Sequence, residues 1–341
     1  MSTADWAPAI AGYLADQAGI GGVQIAGELS GGNANVTLRL STDEGLLVLR
    51  APPASAMSSN SQRGIEREGR VLRALSGKAK VADFVAWCDD ESVIGRPFLV
   101  CGHVDGVSIT GELPAVYPDT AESVNALGRD LAESLAAVHC LPWRDIGLED
   151  FGRPDNFLQR QVERWRKVRA AEAVRELPLM DALAQWLLDN LPADQVSALT
   201  HNDYHLDNTL ARPDRPEIAA IIDWELATIG DPRADAALLL MFWGAQRAAS
   251  PPAFAHVQAV SRRDGIMPRT ELAQVWADAS GLDAGGLNFY LCYAFWRLAA
   301  IVEGAFILHR NGKVDNAYVR GLEYDVPALL LEAERASHGD W

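Results

Sequence analysis

The chain has 341 residues, of which 49% are hydrophobic and 22% charged, and its formal net charge is -16. That length can bury a large core and favours two domains or lobes, and the balance of apolar to charged residues excludes a disordered chain. The acidic excess excludes nucleic acid as a main partner, because phosphate backbones need a basic footprint; most of such an excess only keeps a protein soluble. In chain order, residues 6–17 read as a short amphipathic helix closed by Gly19. Strands follow at 23–29, 35–40 and 46–50, joined by Ser30-Gly31-Gly32-Asn33 and by the turn-rich residues 41–45. Val36, Leu38 and Leu40 alternate with Thr37 and Arg39, the pattern of a half-buried antiparallel strand. Residues 51–61, rich in Pro, Ser and Ala, read as a loop. A helix is expected over 63–75 and two more strands near 81–87 and 97–101, with Asp105-Gly106 ending a small sheet-rich lobe.

From about residue 119 the character changes. Helical spacing predicts helices over 121–140, 155–170, 179–190, 234–247 and 287–310, interrupted only by 196–233, which holds short apolar strands and many Asp, Asn and His residues. A small antiparallel sheet with one helix, followed by a large helical part, is an α+β arrangement, with the lobes expected at 1–104 and 105–341. Cys88, Cys101, Cys140 and Cys292 show no CxxC spacing and have apolar neighbours, so buried free thiols of a reducing compartment are expected. The N-terminal MSTADWAPAI has no basic segment ahead of an apolar one, so a cytoplasmic protein without a secretory signal is expected. Residues 236–245 are too few to span a bilayer, and 290–308 carry Arg297 and Glu303, so no membrane partner is expected.

The chemistry lies in His201-Asn202-Asp203-Tyr204-His205-Leu206-Asp207-Asn208, which reads HxDxxxxN, and in the apolar strand 218–222 ending in Asp223. Phosphoryl transfer asks little covalent chemistry of a protein. One carboxylate must orient the attacking hydroxyl and take its proton, which fits Asp203. Hard oxygen ligands must hold Mg²⁺ against the phosphates, which fits Asn208 and Asp223. His201 and His205 are four apart, as in a zinc helix, but Asn202 stands where the HExxH motif needs Glu.

These segments resemble the aminoglycoside phosphotransferase and choline kinase family, distant relatives of protein kinases. The resemblance implies a two-lobed protein-kinase-like fold, ATP and Mg²⁺ as cofactors, and a small hydroxylated molecule as acceptor. It makes Asp203 the catalytic base, Asn208 and Asp223 the metal ligands, and His201 a structural support of the catalytic loop. Gly230-Asp231-Pro232-Arg233-Ala234-Asp235 matches the family's GDPxxD, which holds that loop and the next helix. Gly31, Gly32 and Asn33 stand where the family covers the nucleotide. Arg50 stands at the phosphate-binding Lys position and Glu68 at that of its helix partner. Backbone groups near Cys101 and His103 stand where the hinge meets adenine.

A narrower resemblance runs through Leu46 to Pro53, Gln161 to Trp165 and Phe295 to Ile301. It is to the branch that includes the kinase-like domain fused to some acyl-CoA dehydrogenases, some members of which are associated with phosphorylation of 4-hydroxy acids or their CoA thioesters. A hydroxy acid or hydroxyacyl thioester is therefore the expected acceptor, an aminoglycoside or amino alcohol the alternative. Arg50 in place of Lys, and Ala34 where relatives carry Ser, leave a non-catalytic nucleotide-binding protein as an alternative of another class; a zinc hydrolase using His201, His205 and Asp223 is a third. Asp223-Trp224-Glu225 lacks the Gly of Asp-Phe-Gly, so a constitutively assembled site is expected. The basic residues Arg160, Arg164, Arg166, Lys167 and Arg169 read as a solvated helix face or as a site for the phosphates of CoA. Trp224, Trp243, Tyr290, Tyr293 and Trp296 read mostly as core.

Overall fold

The computed structural model describes residues 6–29, 35–53, 59–194, 196–244 and 254–341. They divide into two compact units: residues Met1–Gly106 with Arg144–Glu149 and Ala219–Ala227, and residues Val107–Trp143 with Asp150–Ile218 and Thr228–Trp341.

The first unit is built on a five-stranded antiparallel sheet. Its strands are β1 (Gln24–Glu28), β2 (Val36–Thr42), β3 (Gly45–Ala51), β4 (Phe84–Cys88) and β5 (Phe98–Gly102), in the spatial order β1-β2-β3-β5-β4. Leu38 and Leu40 of β2 and Leu49 of β3 point into the core, as the alternation predicts. The register of β1 against β2 shifts between Ile25 and Gly27, and Gly27 there adopts φ 148°, which only glycine accepts readily. Helix α1 (Ala7–Ala18) sends Ile10 and Leu14 into the same core, joined by Trp6. It ends as the sequence suggests: Gly19 is left-handed, and Gly19 and Ile20 donate their N–H groups to Ala15 and Leu14 carbonyls. Helix α2 (Ser59–Leu75) packs on β4 and β5 and on the turn Trp224–Leu226. A one-turn helix, α3 (Glu91–Ile94), is capped by Asp90, which accepts from Ser92 N; the sequence reading had no helix there.

The second unit holds seven helices among its described residues: α4 (Ala121–His139), α5 (Phe157–Glu172), α6 (Pro178–Asp189), α7 (Pro232–Phe242), α8 (Arg269–Ser280), α9 (Leu287–Arg310) and α10 (Ala317–Ser337). Strand β6 (Ala198–Thr200) pairs antiparallel with β9 (Thr228–Gly230). Between them in sequence lie β7 (Thr209–Ala211) and β8 (Ile218–Ile221), and the chain passes from the second unit to the first inside β8. Helix α7 begins at Pro232 and ends at Phe242, where Trp243 is extended, rather than running over 234–247. Helices α8 and α10 were not expected.

Helix α9 is the core of this unit and packs against α10, α7, α5 and α6. It is long and apolar enough in composition to cross a membrane, which corrects the reading that Arg297 and Glu303 interrupt it too early; 67% of its most apolar window is buried inside the protein. Its buried carboxylate, Glu303, is held by the Arg175 guanidinium, which also donates to the Leu322 and Glu323 carbonyls and lies 4.0 Å over the Phe306 ring. A charge buried this way is tolerable because all its hydrogen bonds are supplied at once. Trp224, Trp243, Tyr290, Tyr293 and Trp296 are all buried. Cys88, Cys101 and Cys292 are buried, but Cys140, just past the end of α4, is exposed.

Candidate active site

In the first unit three residues expected from separate motifs meet. Arg50, the next-to-last residue of β3, donates from Nη1 to Glu68 Oε1 on α2, and from Nη2 to Asp223 Oδ1 at 3.0 Å. Asp223 precedes the turn Trp224–Leu226, on which α2 packs, and this brings residues 173 positions apart together. The planar fork of Arg reaches two carboxylates where a single ammonium on a Lys stem presents a point charge. Burial pushes the Glu68 carboxyl up, to about 7, while the Arg50 guanidinium pulls it down. Burial alone would lower the Arg50 pKa, but Glu68 and Asp223 outweigh it and raise it, so Arg50 is a fixed cation. Asp223 has φ 67°, a left-handed conformation that a non-glycine residue holds at a cost and that Asp and Asn tolerate best. Beside it, Asn35 Nδ2 donates to Glu225 Oε2 at 3.1 Å, and Trp224 Nε1 to Ile221 O at 3.1 Å.

In the second unit the HxDxxxxN segment is a tight loop around a one-turn 3-10 helix, Leu206–Asn208. Asn208 Nδ2 donates to Asp203 O at 2.8 Å and to Asp203 Oδ2 at 3.0 Å. This fixes the amide orientation and leaves Asn208 Oδ1 as an acceptor without a protein donor among the described residues. His205 bridges Asp207 Oδ2, 3.3 Å from its Nδ1, and Asn208 Nδ2, 3.3 Å from its Nε2. Burial raises Asp207, but hydrogen bonds from His205 and the Gln258 N–H outweigh it and hold its pKa low. His205 is therefore a local hydrogen-bonding residue in this loop.

The GDPxxD segment ties this loop down. Asp235, fully buried, accepts the His201 N–H on Oδ2 and the Asn202 N–H on Oδ1 at 2.8 Å. Two N–H groups aimed at one carboxylate hold Asn202 at φ 66°, immediately before Asp203. Asp231 caps α7 through the Arg233 N–H, pairs with the Arg233 guanidinium and accepts the Tyr290 hydroxyl at 2.7 Å. His201 is fully buried and packs edge-on against Tyr204, whose hydroxyl donates to Leu131 O at 2.8 Å. Two supports had no signal in the sequence. His139 lies 3.5 Å from Asp235 and takes the Trp276 indole N–H on Nδ1, and Gln258 accepts the Leu206 N–H. Each is a polar residue more than 50 positions from its partner in the chain, and no spacing rule reaches that far.

The remaining expected positions divide. Gly31, Gly32 and Asn33 lie outside the described residues. Cys101 pairs with Val48 of β3 inside the sheet; burial pushes its thiol up to about 12, so it is an inert core thiol. His103 donates its N–H to Leu46 O at 3.2 Å, which commits that group within the first unit. Among the described residues no cluster of three His, Cys, Asp or Glu side chains could hold a metal ion. Asn208 Oδ1, and Asp223 Oδ2 in a carboxylate 36% exposed, are hard oxygen donors without protein partners among the described residues, a donor type that suits Mg²⁺ when phosphate supplies the remaining oxygens.

The sheet-rich unit with its Arg50–Glu68 pair, and the helical unit with its HxDxxxxN loop, define a protein-kinase-like fold. The chain belongs to the phosphotransferase enzyme family, APH, whose profile matches residues 26–265. It is similar to acyl-CoA dehydrogenase family member 10 of Mus musculus, 30% identical over 293 residues that cover 84% of this chain and 27% of the relative. The chain thus spans about a quarter of that relative's length. Among solved structures it is similar to a Ralstonia eutropha protein assigned as an aminoglycoside phosphotransferase, with TM-score 0.82 and 28% identity over 97% of this chain and 98% of the other. It shares its fold with the GDP and kanamycin complex of APH(2")-IIia, at TM-score 0.63 and 17% identity over 96% of this chain and 98% of that one.

Proposed function

We propose that this protein transfers the γ-phosphoryl group of ATP to a hydroxyl of a small molecule, a hydroxy acid or hydroxyacyl thioester, with Asp203 as the catalytic base. The observation that carries this reading is the Asn208–Asp203 geometry. One carboxylate oxygen is held by the amide, and a side chain 45% exposed can accept the proton of an attacking hydroxyl with its other oxygen. Arg50 would present its fork to the nucleotide phosphates, with Glu68 fixing its position. Asn208 and Asp223 would hold Mg²⁺, which when bound offsets phosphate charge. The GDP complex of a structural neighbour supports a nucleotide here, and the acyl-CoA dehydrogenase name of a relative supports an acyl-chain acceptor.

The test is ADP release over a panel of hydroxy acids, their CoA thioesters, choline, sugars and aminoglycosides. Asp203→Ala should lower kcat by about 100-fold or more, the usual worth of a positioned general base, with ATP binding largely retained. Unchanged turnover in that variant would remove Asp203 from its role. Turnover only with cationic amines would transfer the reading to an aminoglycoside or amino-alcohol kinase, which the solved neighbours favour. ATP binding with no phosphorylated product across the panel would instead indicate a non-catalytic nucleotide-binding protein.

A further inference from the structure

Helix α10 keeps an apolar face that its own chain leaves uncovered. Leu322, Val326 and Leu329 are buried on the side that packs along α9 and against α6. On the opposite side Gly321, Tyr324, Ala328 and Leu331 follow one another at steps of three, four and three, the spacing of seam positions in paired helices. None of the four is buried; Tyr324 is 75% exposed and Leu331 49%. Tyr324 is the most exposed large apolar side chain among the described residues. The helix runs unbroken along this face although Pro327 lies within it. The Glu323 carbonyl, which Pro327 leaves without its helical donor, accepts from Arg175 Nη1 at 3.0 Å.

The order of sizes on this face is self-complementary. Small residues, Gly321 and Ala328, alternate with large ones, Tyr324 and Leu331. A second α10 laid antiparallel on the first, about a two-fold axis level with Val326, sets its Leu331 opposite Gly321 and its Ala328 opposite Tyr324, and the reverse. Each large side chain then enters the space left by a small one, as close helix packing requires. Charge obeys the same two-fold. Arg320 and Glu334 flank the seam on one side, and antiparallel pairing brings Arg320 of each copy beside Glu334 of the other. Pro327 lies between them on that flank, so no like charges are opposed. On the other flank Asp325 and Glu332 are buried within the chain. Arg320 and Glu334 of one chain are 14 positions apart, roughly 21 Å along the helix, and cannot pair with each other. Arg320 meets the exposed Asp315 at 2.8 Å, a surface pair worth little, and Arg335, next to Glu334, pairs instead with Asp340 at 2.9 Å.

We propose that this face of α10 is a docking surface for a second copy of the same chain, the two α10 helices pairing antiparallel with Tyr324 and Leu331 in the seam and Arg320–Glu334 ion pairs along its edge. The surface stands independently of the kinase reading. The seam is short, so the dimer belongs to the small, transient class of interface, with a Kd of about 1–100 µM. A different protein could meet an exposed Tyr and Leu, but it would not need the size order and the charges to match under a two-fold.

The experiment is sedimentation velocity on the full chain from about 1 to about 200 µM, where a dimer of this class should form as concentration rises. Arg320→Glu and Glu334→Arg each set like charges across the seam, and each should weaken dimerisation by about tenfold or more. The two changes combined restore opposite charges, and the dimer should return to within about threefold of the parent. Both variants should fold, because a carboxylate in the first turn of α10 and a guanidinium in the last suit the helix dipole. Tyr324→Glu, at an exposed position, should remove the dimer over the whole range, and circular dichroism melts verify that each variant is folded. A parent chain that stays monomeric at about 200 µM overturns the proposal and leaves the face to another partner. A dimer indifferent to Tyr324→Glu pairs through another surface and overturns it too. Recovery in the double charge reversal is the outcome that only pairing between copies explains, and failure to recover refutes this antiparallel register. If Tyr324→Glu does not fold, the charge-reversal set still decides. None of these results depends on phosphoryl transfer, so the role of Asp203 is judged separately.

Discussion

A buried carboxylate can be neutralised by a cation or by a proton, and Glu68 has access to both. Its pKa is raised from 4.5 to about 7, with burial as the main cause and Arg50 as the restraint. Between those two values the folded state holds a proton that the unfolded state releases. This contribution to stability is thus full below the unfolded pKa and is lost as pH rises through about 7. Arg50→Met removes the restraint, so the Glu68 pKa rises further and the loss continues above neutrality. The variant should melt below the parent, by about 3 kcal/mol or more at alkaline pH, because a buried charge is left alone; near pH ~5 the cost should shrink as Glu68 takes up a proton. Thermal melts at both pH values check this. A gap that stays constant with pH would show that Glu68 does not titrate in response to Arg50. Arg50, Glu68 and Asp223 were each legible because each stands at the end or on the face of an element with its own pattern. Their meeting was legible only through the family resemblance, since no local rule joins positions 50 and 223. His139 and Gln258 left no trace, because a polar residue on an apolar helix face or in a loop looks the same whether or not it holds a distant backbone group.

Helix α4 shows what the elements owe to close packing. Its N-terminus is set by Thr120, whose hydroxyl accepts from Ser123 N, and its face carries Val124, Leu127, Leu131 and Leu135, all buried. Gly128 lies on that face where the ring of Trp243 crosses it. A methyl group added there would stand 2.4 Å from Trp243 Cη2. The ring cannot retreat freely, because its Nε1 donates to Met267 O at 3.0 Å and the residue is fully buried. Gly128→Ala gains helix propensity worth about 1 kcal/mol, yet overpacking costs about 1–3 kcal/mol, so net destabilisation is expected. Urea unfolding measures it, and a variant more stable than the parent would show that the ring has room to move. At this scale the amphipathic helices and the alternating β2 were plain in the sequence. Helix α10 was not, because Pro327 reads as a helix breaker and Gly321 as a turn, whereas packing along α9 holds the helix through both. Helix α7 was placed late because Asp231 and Pro232, its cap and first turn, were absorbed into the reading of a motif.

At the scale of the whole molecule, anything that binds the folded chain and not the unfolded one raises its stability by mass action. If ATP and Mg²⁺ bind together through Arg50, Asn208 and Asp223, then nucleotide at about 100 times its Kd should add about 2.7 kcal/mol with Mg²⁺ present, and less without it. That corresponds to a rise of a few degrees in Tm for a chain of this size. The informative variant is Asp223→Asn. Asn accepts the left-handed backbone at φ 67° and can still take a hydrogen bond from Arg50, so the variant should fold. It removes one negative charge and weakens the hold on a divalent cation, while Arg50 keeps its reach to phosphate. The expected pattern is a nucleotide-induced shift that survives, and a Mg²⁺-dependent increment that is lost. Asn208→Ala is judged by the same measurement, and loss of the Mg²⁺-dependent increment is the expected result. Should either variant keep the full Mg²⁺ increment, that residue is not a ligand, and the divalent cation must be held by phosphate and other groups.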